Sequence, residues 1–237
     1  MSTAVANEQQ VVERLRVAAA WRLAGLLLRR PTPAVREEIA ALSCGVGESP
    51  LAAALAAAAH ATEGEYHGWL GAGGPVSPRE VSYRPLEDPG KLLAEIAAFH
   101  EAFAYRANAE EPADHVAVAV DFLGFLTMKE AFAVALGRSE DAGVTSAAAE
   151  RFRERHLVPM ARGMLRRFER FESPDGYLAC TARAVLVLAG VDPEDATTDA
   201  ALDGSPFLRP GLDDDTFECG SECLRDAGDC AGRRPEP

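Results

Sequence analysis

The chain has 237 residues, of which 48% are hydrophobic, and its net charge is -13. This length suits one large domain, with or without a tail. The excess of acidic residues argues against nucleic-acid binding, which needs clustered Lys and Arg to neutralise phosphates. Much of the apolar content is alanine, which favours helix intrinsically and buries little area per residue.

The first residues show no secretory signal, because Glu8, Glu13 and Arg14 interrupt any apolar run. Arg29 and Arg30 follow an apolar stretch instead of preceding one, which is the wrong order for a twin-arginine signal. We find no segment long and apolar enough to span a bilayer. The odd number of cysteines, five, fits a reducing compartment. These features together predict a cytoplasmic protein.

Hydrophobic periodicity and N-capping signals predict helices through most of the chain, and no stretch alternates like a strand. His60 and His67 lie seven residues apart, and we interpret them as surface or packing histidines because no carboxylate or cysteine cluster accompanies them. Three helices are predicted in the first part of the chain, over Val11–Arg29, from Thr32-Pro33 to Leu42, and from Ser49-Pro50 to Trp69.

The segment Gly71–Gly90 is rich in glycine and proline, which is typical of an irregular loop and not of a helix. Its Val81 and Tyr83 could hold it against the core. Beyond it, Asp88-Pro89 starts a predicted helix over Lys91–Tyr105, and the central stretch forms the next one. Further helices are predicted from Thr145 to His156, over Met160–Phe171 after a break at Pro159, and from Ser173-Pro174 to Gly190. Gly137–Val144 is predicted to be a polar loop after a C-cap at Gly137.

The stretch Glu110–Phe132 predicts the central helix, because apolar residues occupy nearly every side of it and such a helix is buried. Pro112 suits the first turn, where Glu111 or Asp114 could meet the free N–H groups. Asp121 lies among apolar residues and therefore needs a partner. The candidates are Arg84, Arg106 and Arg183, and the sequence does not choose among them.

Residues 203–237 differ in composition and predict a poorly ordered acidic tail. Cys219, Cys223 and Cys230 lack a fourth ligand and the CxxC spacing of a structural zinc site. We interpret Cys44 and Cys180 as buried small apolar residues. The predicted fold class is therefore all-α, as a single multi-helix globular domain over 1–202 with an irregular central loop.

The sequence contains no dinucleotide-binding, Walker A, HExxH or GxSxG motif, so it predicts neither a cofactor nor a metal. Asp114-His115 has the reverse order of the metal-binding pair of phosphohydrolases. Structural capping explains this pair better than catalysis does. A helical metal-dependent hydrolase using Asp114, His115 and Asp121 is the enzyme alternative.

Four stretches, read in order, resemble the TorD/DmsD/NarJ group of molybdoenzyme maturation chaperones. The most specific is EPADHVAVAVDFLGFL, which matches the E-P-x-D-H motif of that group at Glu111, Pro112, Asp114 and His115. AWRLAGLLLRRP is similar to the first helix of the family, and RFRERHLVPMARGMLRRFE to a late one. PREVSYR, with FHEAFAYR, resembles the branch that serves dimethyl-sulfoxide-reductase-type enzymes. The resemblance covers roughly residues 11–190 and leaves the cysteine-bearing tail unmatched.

The resemblance implies a cytoplasmic all-α chaperone without turnover of its own. It would bind the apo catalytic subunit of a molybdopterin oxidoreductase, with its twin-arginine signal peptide as one target, and hold it for cofactor insertion. Acidic residues would meet the peptide's arginines, and exposed apolar side chains its middle. The expected peptide-binding residues are Glu111, Pro112, Asp114, His115, Tyr83 and Phe122. A permanent subunit of the oxidoreductase is the remaining alternative.

Overall fold

The computed structural model describes residues 3–43, 50–107, 111–171, 173 and 175–198, and most of these residues are helical, which confirms the all-α prediction. They contain no strand and only one isolated antiparallel bridge, between Arg79 and His115. The predicted tail lies outside the described residues. The helices are α1 (Thr3–Leu27), α2 (Pro33–Ser43), α3 (Ala52–Ala58), α4 (Glu63–Leu70), α5 (Pro89–Ala102), α6 (Val116–Ala135), α7 (Ser139–Phe152), α8 (Val158–Arg170), α9 (Tyr177–Leu188) and α10 (Pro193–Thr198).

The central helix α6 packs most extensively against α1 and α7. Glycines permit the close approach of α1 and α6. A Cβ built on Gly124 would lie 3.2 Å from the Cβ of Trp21, and one on Gly25 would lie 2.4 Å from an Asp121 carboxylate oxygen. The N-terminal half of α6 is accordingly buried on every side, from Val116 to Gly124.

The C-terminal half of α6 departs from the prediction that the helix is buried all round. Met128 is 51% exposed and Phe132 is 65% exposed, and Leu136, which ends the helix, is 50% exposed. Residues three or four positions apart share one helix face, so these side chains form one outward stripe. No neighbouring helix covers this face among the described residues.

Several predicted boundaries are correct because capping is a local interaction. The side chain of Thr32 accepts from the N–H of Val35 at the start of α2, and Asp88 accepts from the N–H of Lys91 at the start of α5. Gly137 and Gly190 have φ angles of 69° and 73°, which are the left-handed values that suit a residue just past a helix.

Three predicted boundaries are wrong. The alanine-rich segment forms two helices, because Thr62 caps α4 by accepting from the N–H of Glu65 at 3.0 Å. The predicted loop Gly137–Val144 is mostly helix, since α7 begins at Ser139. Thr145 is therefore inside α7, where its hydroxyl donates to the carbonyl of Asp141. The last long helix begins at Tyr177, later than Ser173.

The predicted break at Pro159 takes the form of a π-helical turn, Arg153–Leu157, between α7 and α8. Proline has no N–H, so it cannot donate to the carbonyl of Arg155 four residues earlier. The guanidinium of Arg84 donates to that carbonyl instead. A side chain from the glycine-rich loop thus satisfies the acceptor that the proline leaves unpaired.

The loop before α5 lies on α8 through Tyr83, the last residue of a short 3₁₀ turn, Glu80–Tyr83. The tyrosine ring packs directly on Gly163, where an added Cβ would lie 2.3 Å from the ring. Its hydroxyl donates to the carbonyl of Ser77 at 2.6 Å, and the Arg167 guanidinium lies 4.6 Å from the ring centroid. This close contact fixes the loop against the helix.

Two glycine substitutions test this contact. We expect Gly163→Ala to destabilise the protein by about 1–3 kcal/mol, because the methyl group would displace the buried Tyr83 ring. Gly143→Ala is the matched control, since this glycine is exposed within α7 and its Cβ would meet nothing within 4 Å. The control should stabilise by about 0.5–1 kcal/mol through helix propensity. Urea unfolding measures both changes, and equal effects would contradict the proposed packing.

Candidate functional site

The start of α6 is bound to the 3₁₀-turn segment by backbone hydrogen bonds. The N–H of Glu80 donates to the carbonyl of Asp114 at 3.0 Å, and the N–H of Val116 donates to the carbonyl of Pro78 at 2.8 Å. These two bonds surround the bridge between Arg79 and His115. Two segments about 35 residues apart therefore form one local structure.

Asp114 is only 1% exposed and is satisfied within this structure. Its carboxylate accepts from the Nε of Arg79 at 2.5 Å and from the N–H of Val81 at 3.5 Å. Asp114 is one of the two residues predicted to meet the free N–H groups of the first turn of α6. Its carboxylate instead binds the neighbouring segment. A partner peptide would have to displace Arg79 to reach it.

His115 is the N-cap of α6 and is 2% exposed. Its Nδ1 accepts from the N–H of Ala117 at 3.1 Å, which places the ring proton on Nε2. Nε2 lies 3.5 Å from a carboxylate oxygen of Glu111. Burial, followed by the positive charges of Arg79 and Arg29, lowers the pKa of His115 to about 4. The ring is therefore neutral near pH 7, and its role is to cap the helix.

Two other predicted site residues, Tyr83 and Phe122, are also buried. Phe122 is 0% exposed and its ring contacts those of His100, Tyr105 and Phe152. It belongs to the core and cannot line a binding surface in this conformation.

Glu111 and Pro112 are the predicted site residues that reach the surface. Glu111 lines a groove of about 630 Å³ together with Arg29, Arg30, Tyr66 and His67. Burial, followed by the negative charge of Glu111, raises the pKa of Tyr66 to about 12. The groove therefore presents charges of both signs beside a neutral tyrosine.

Asp121 pairs with two arginines of the α1 region, and none of the three predicted partners is correct. Arg22 donates to both carboxylate oxygens at 3.1 Å, and Arg29 donates to one of them. These arginines are the partners because α1 crosses α6 here, and Gly25 allows the two helices to come into contact at Asp121.

The predicted candidates for Asp121 lie elsewhere. Arg84 is within 3.2 Å of Glu87, Arg183 is within 3.2 Å of Glu169, and Arg106 is exposed.

A buried pair that sequence reasoning missed joins the loop to the π-helical turn. His156 is 0% exposed and Glu80 is 1% exposed, and Nδ1 of the histidine lies 3.1 and 3.2 Å from the two carboxylate oxygens. Arg84 lies 3.4 Å from the same carboxylate. No sequence signal identified this pair, because a single glutamate in a loop is ordinarily exposed.

A second ion-pair network lies outside the buried pair. Arg155, in the π-helical turn, donates to Glu87 in the loop and to Glu95 in α5. The hydrogen bond from Arg155 lowers the pKa of Glu87 below its ordinary value. The loop, α5 and the α7–α8 junction are therefore held together at the position of the π-helical turn.

No group of three or more His, Cys, Asp or Glu side chains suited to a metal occurs within the described parts of the chain. Asp114 and Asp121, which the hydrolase alternative requires, are each bound by arginine. His60 and His67 are both exposed, and they lie on different segments because α3 and α4 are separate helices.

No protein-family model, curated protein or solved structure matches this chain. None of the helices in the described residues is long and apolar enough to cross a membrane.

The neutral, buried state of His115 predicts acid sensitivity. The pKa of histidine is about 6.5 in an unfolded chain, and that of His115 is about 4 in the folded protein. Between these values the unfolded chain binds more protons, so stability falls as the pH is lowered from 6.5 to 4. At pH 5 the loss is on the order of 2 kcal/mol.

His115→Asn tests this expectation, because asparagine keeps a capping side chain but does not titrate. We expect its free energy of unfolding to fall less than that of the wild type between pH 7 and pH 5, as measured by urea denaturation. His67→Asn, at an exposed histidine, should follow the wild type. An unchanged pH dependence in His115→Asn would show that another group is responsible.

Proposed function

We propose that this protein is a system-specific chaperone that binds the apo catalytic subunit of a molybdopterin oxidoreductase. The signal peptide of that subunit, with its paired arginines and apolar middle, is the target we assign to the start of α6. The client would be held in the cytoplasm until its cofactor is inserted, and the chaperone would itself perform no reaction.

The observation that carries the proposal is the meeting of three segments on which the family resemblance rests. Arg79 of PREVSYR pairs with Asp114 of EPADH, and Glu80 of the first segment pairs with His156 of RFRERHLVPM. Residues that are far apart in the chain thus form one connected structure at the start of α6. A set of motifs that converges in this way is expected if they serve one site.

The burial of Asp114 and His115 changes their part in the proposal. Asp114 holds Arg79 and the loop, and His115 caps α6, so both are positioning residues. Glu111 and Pro112 form the accessible edge. An arginine of the peptide would contact Glu111, which is 30% exposed and lines the groove.

Arg30 and Glu63 show how the groove could accept a basic peptide. They lie 3.9 Å apart and both side chains are about half exposed. Such a surface ion pair contributes little stability. An arginine of the peptide can therefore replace Arg30 at Glu63 with little loss, while the apolar middle of the peptide lies along the groove.

Titration with a synthetic peptide that carries two arginines before an apolar run tests the proposal. We expect saturable binding to the wild type and about tenfold or more weaker binding to Glu111→Gln, because a charge-assisted hydrogen bond is worth about 1.5 kcal/mol or more. Fluorescence anisotropy with the labelled peptide measures the affinity.

Glu8→Gln is the matched control, since Glu8 is an exposed glutamate in α1 near the other end of α6. It removes the same charge and should leave binding unchanged. Absence of saturable binding to the wild type, or equal affinities for Glu111→Gln and Glu8→Gln, would overturn the assignment.

Copurification adds a second test, because a chaperone should accompany the apoenzyme and be missing from the mature enzyme, whereas a permanent subunit would remain.

A further inference from the structure

The outward stripe of α6 is an exposed apolar feature that the proposed function does not use. The half-buried Phe125 extends the stripe of Met128, Phe132 and Leu136, so that the four residues follow one another at spacings of three and four. The last three are 50–65% exposed. Core packing does not account for an exposed stripe of this regularity, and contiguous apolar surface of this kind marks interaction sites.

Two grooves run along this stripe and share Met128. One has a volume of about 600 Å³ and lies beside α1, where Leu15 and Phe125 line it. The other has a volume of about 570 Å³ and lies beside α5 and α7, where Phe103 and Val144 line it. The grooves together follow α6 from Asp121 to Ala133.

The floor of the grooves has the dimensions of a helix-binding site. Asp121 and Ala133 are the first and last residues of α6 that line the grooves, and they are 12 residues apart, which corresponds to about 18 Å at 1.5 Å per residue. A partner helix of about three turns covers that length. Side chains at helical spacing on the floor present ridges that a second helix can pack against. An amphipathic helix in a groove places its apolar face at i, i+3, i+4 and i+7 in this way.

The margins of the grooves are basic, although the protein as a whole is strongly acidic. The basic side chains along them are Arg22, Arg29 and Arg106 in the first groove, and Lys129 and Arg138 in the second. The acidic ones are Asp121, which is already paired with Arg22 and Arg29, and Asp141. Arg22 also pairs with Glu38, which lies outside the lining. When Glu38 is counted, five positive charges and three negative ones leave an excess of two positive charges.

Lys129 is held in place at the centre of this margin. Its Nζ donates to the carbonyl of Phe103 at 2.9 Å and lies 5.2 Å from the Phe125 ring centroid and 5.8 Å from that of Phe103. Phe103 and Phe125 thus hold the ammonium group over the apolar floor, where no carboxylate of the described residues pairs with it. An incoming carboxylate would meet a charge that is already ordered.

We propose that this stripe is the docking site for an acidic amphipathic helix of a partner protein. The apolar face of that helix lies on Phe125, Met128 and Phe132, and its flanking Glu or Asp side chains face Lys129 at the centre and Arg106 and Arg138 at the two ends. A second copy of this chain fits less well, because two identical stripes in contact would bring their basic margins together.

This inference does not rest on the proposed function. A basic signal peptide suits the Glu111 edge and is repelled by the margins of the stripe. The two sites can therefore be tested separately, and failure of either leaves the other standing.

The test uses two labelled 18-residue helical peptides with the same leucine face, one flanked by glutamates and one by lysines. We expect the glutamate peptide to bind saturably to the full-length protein, at least tenfold more tightly than the lysine peptide, and to weaken as salt is raised. Fluorescence anisotropy measures both affinities. Equal affinities, or tighter binding of the lysine peptide, would overturn the proposal.

Two exposed phenylalanines provide matched variants. Phe132→Ser should weaken binding of the glutamate peptide about tenfold, whereas Phe171→Ser, at an exposed phenylalanine that follows α8, should leave it unchanged. Both side chains are exposed, so thermal unfolding should confirm that both variants fold. Equal affinities of the two variants would contradict the assigned site.

Charge reversal at the two ends gives an independent readout. Arg106→Glu combined with Arg138→Glu changes two exposed residues and should shift the preference toward the lysine peptide. An unchanged preference would overturn the charge argument.

Sedimentation velocity addresses self-association: a wild-type dimer that Phe132→Ser converts to a monomer would assign the stripe to a second copy of the chain and reject the proposal.

Discussion

The buried pair of Glu80 and His156 is the interaction on which the arrangement of the loop depends. A carboxylate removed from water is costly unless a donor satisfies it, and removal of one member of such a pair typically costs about 3–5 kcal/mol. Glu80 meets this requirement through His156 and Arg84. The π-helical turn presents His156 to the loop, so a local change in helical geometry after α7 determines where a segment some 70 residues earlier is held.

The same contact positions the start of α6. The side chain of Glu80 pairs with His156, and its backbone N–H donates to the carbonyl of Asp114. Arg79 pairs with the Asp114 carboxylate. The loop is therefore a rigid connector between the α7–α8 junction and the first turn of α6. This arrangement explains why Asp114 and His115, which look like recognition residues, are buried structural ones, whereas Glu111 is partly exposed.

The two proposed surfaces follow from the two halves of α6. Where α1 crosses it at Gly25 and Gly124, the helix is enclosed, and its polar start forms a mixed-charge edge. Beyond Leu126 one side opens to solvent, and the apolar side chains there remain exposed beside basic residues. The two proposals thus assign a mixed-charge edge and a basic, apolar groove to different surfaces, which would suit two different segments of a client.

The all-α class, most helices and several helix boundaries could be predicted from the sequence because their causes are local. A cap such as Thr32 or Asp88 acts within three residues, and apolar periodicity acts within one helix. Thr62 shows that even a local signal can be overlooked, since its glutamate three residues later marks the break in the alanine-rich segment.

Tertiary structure alone decided which charges pair and which apolar residues stay exposed. Asp121 pairs with Arg22 and Arg29 because α1 crosses α6 at this point. Glu80 pairs with His156 because the loop before α5 folds onto the α7–α8 junction. The sequence of α6 is largely apolar, yet only its first half is covered on every side; in the second half Leu126, Ala131 and Ala133 are buried and the opposite side is exposed. Coverage depends on the lengths and crossing positions of other helices, and hydrophobicity within a single helix does not encode them.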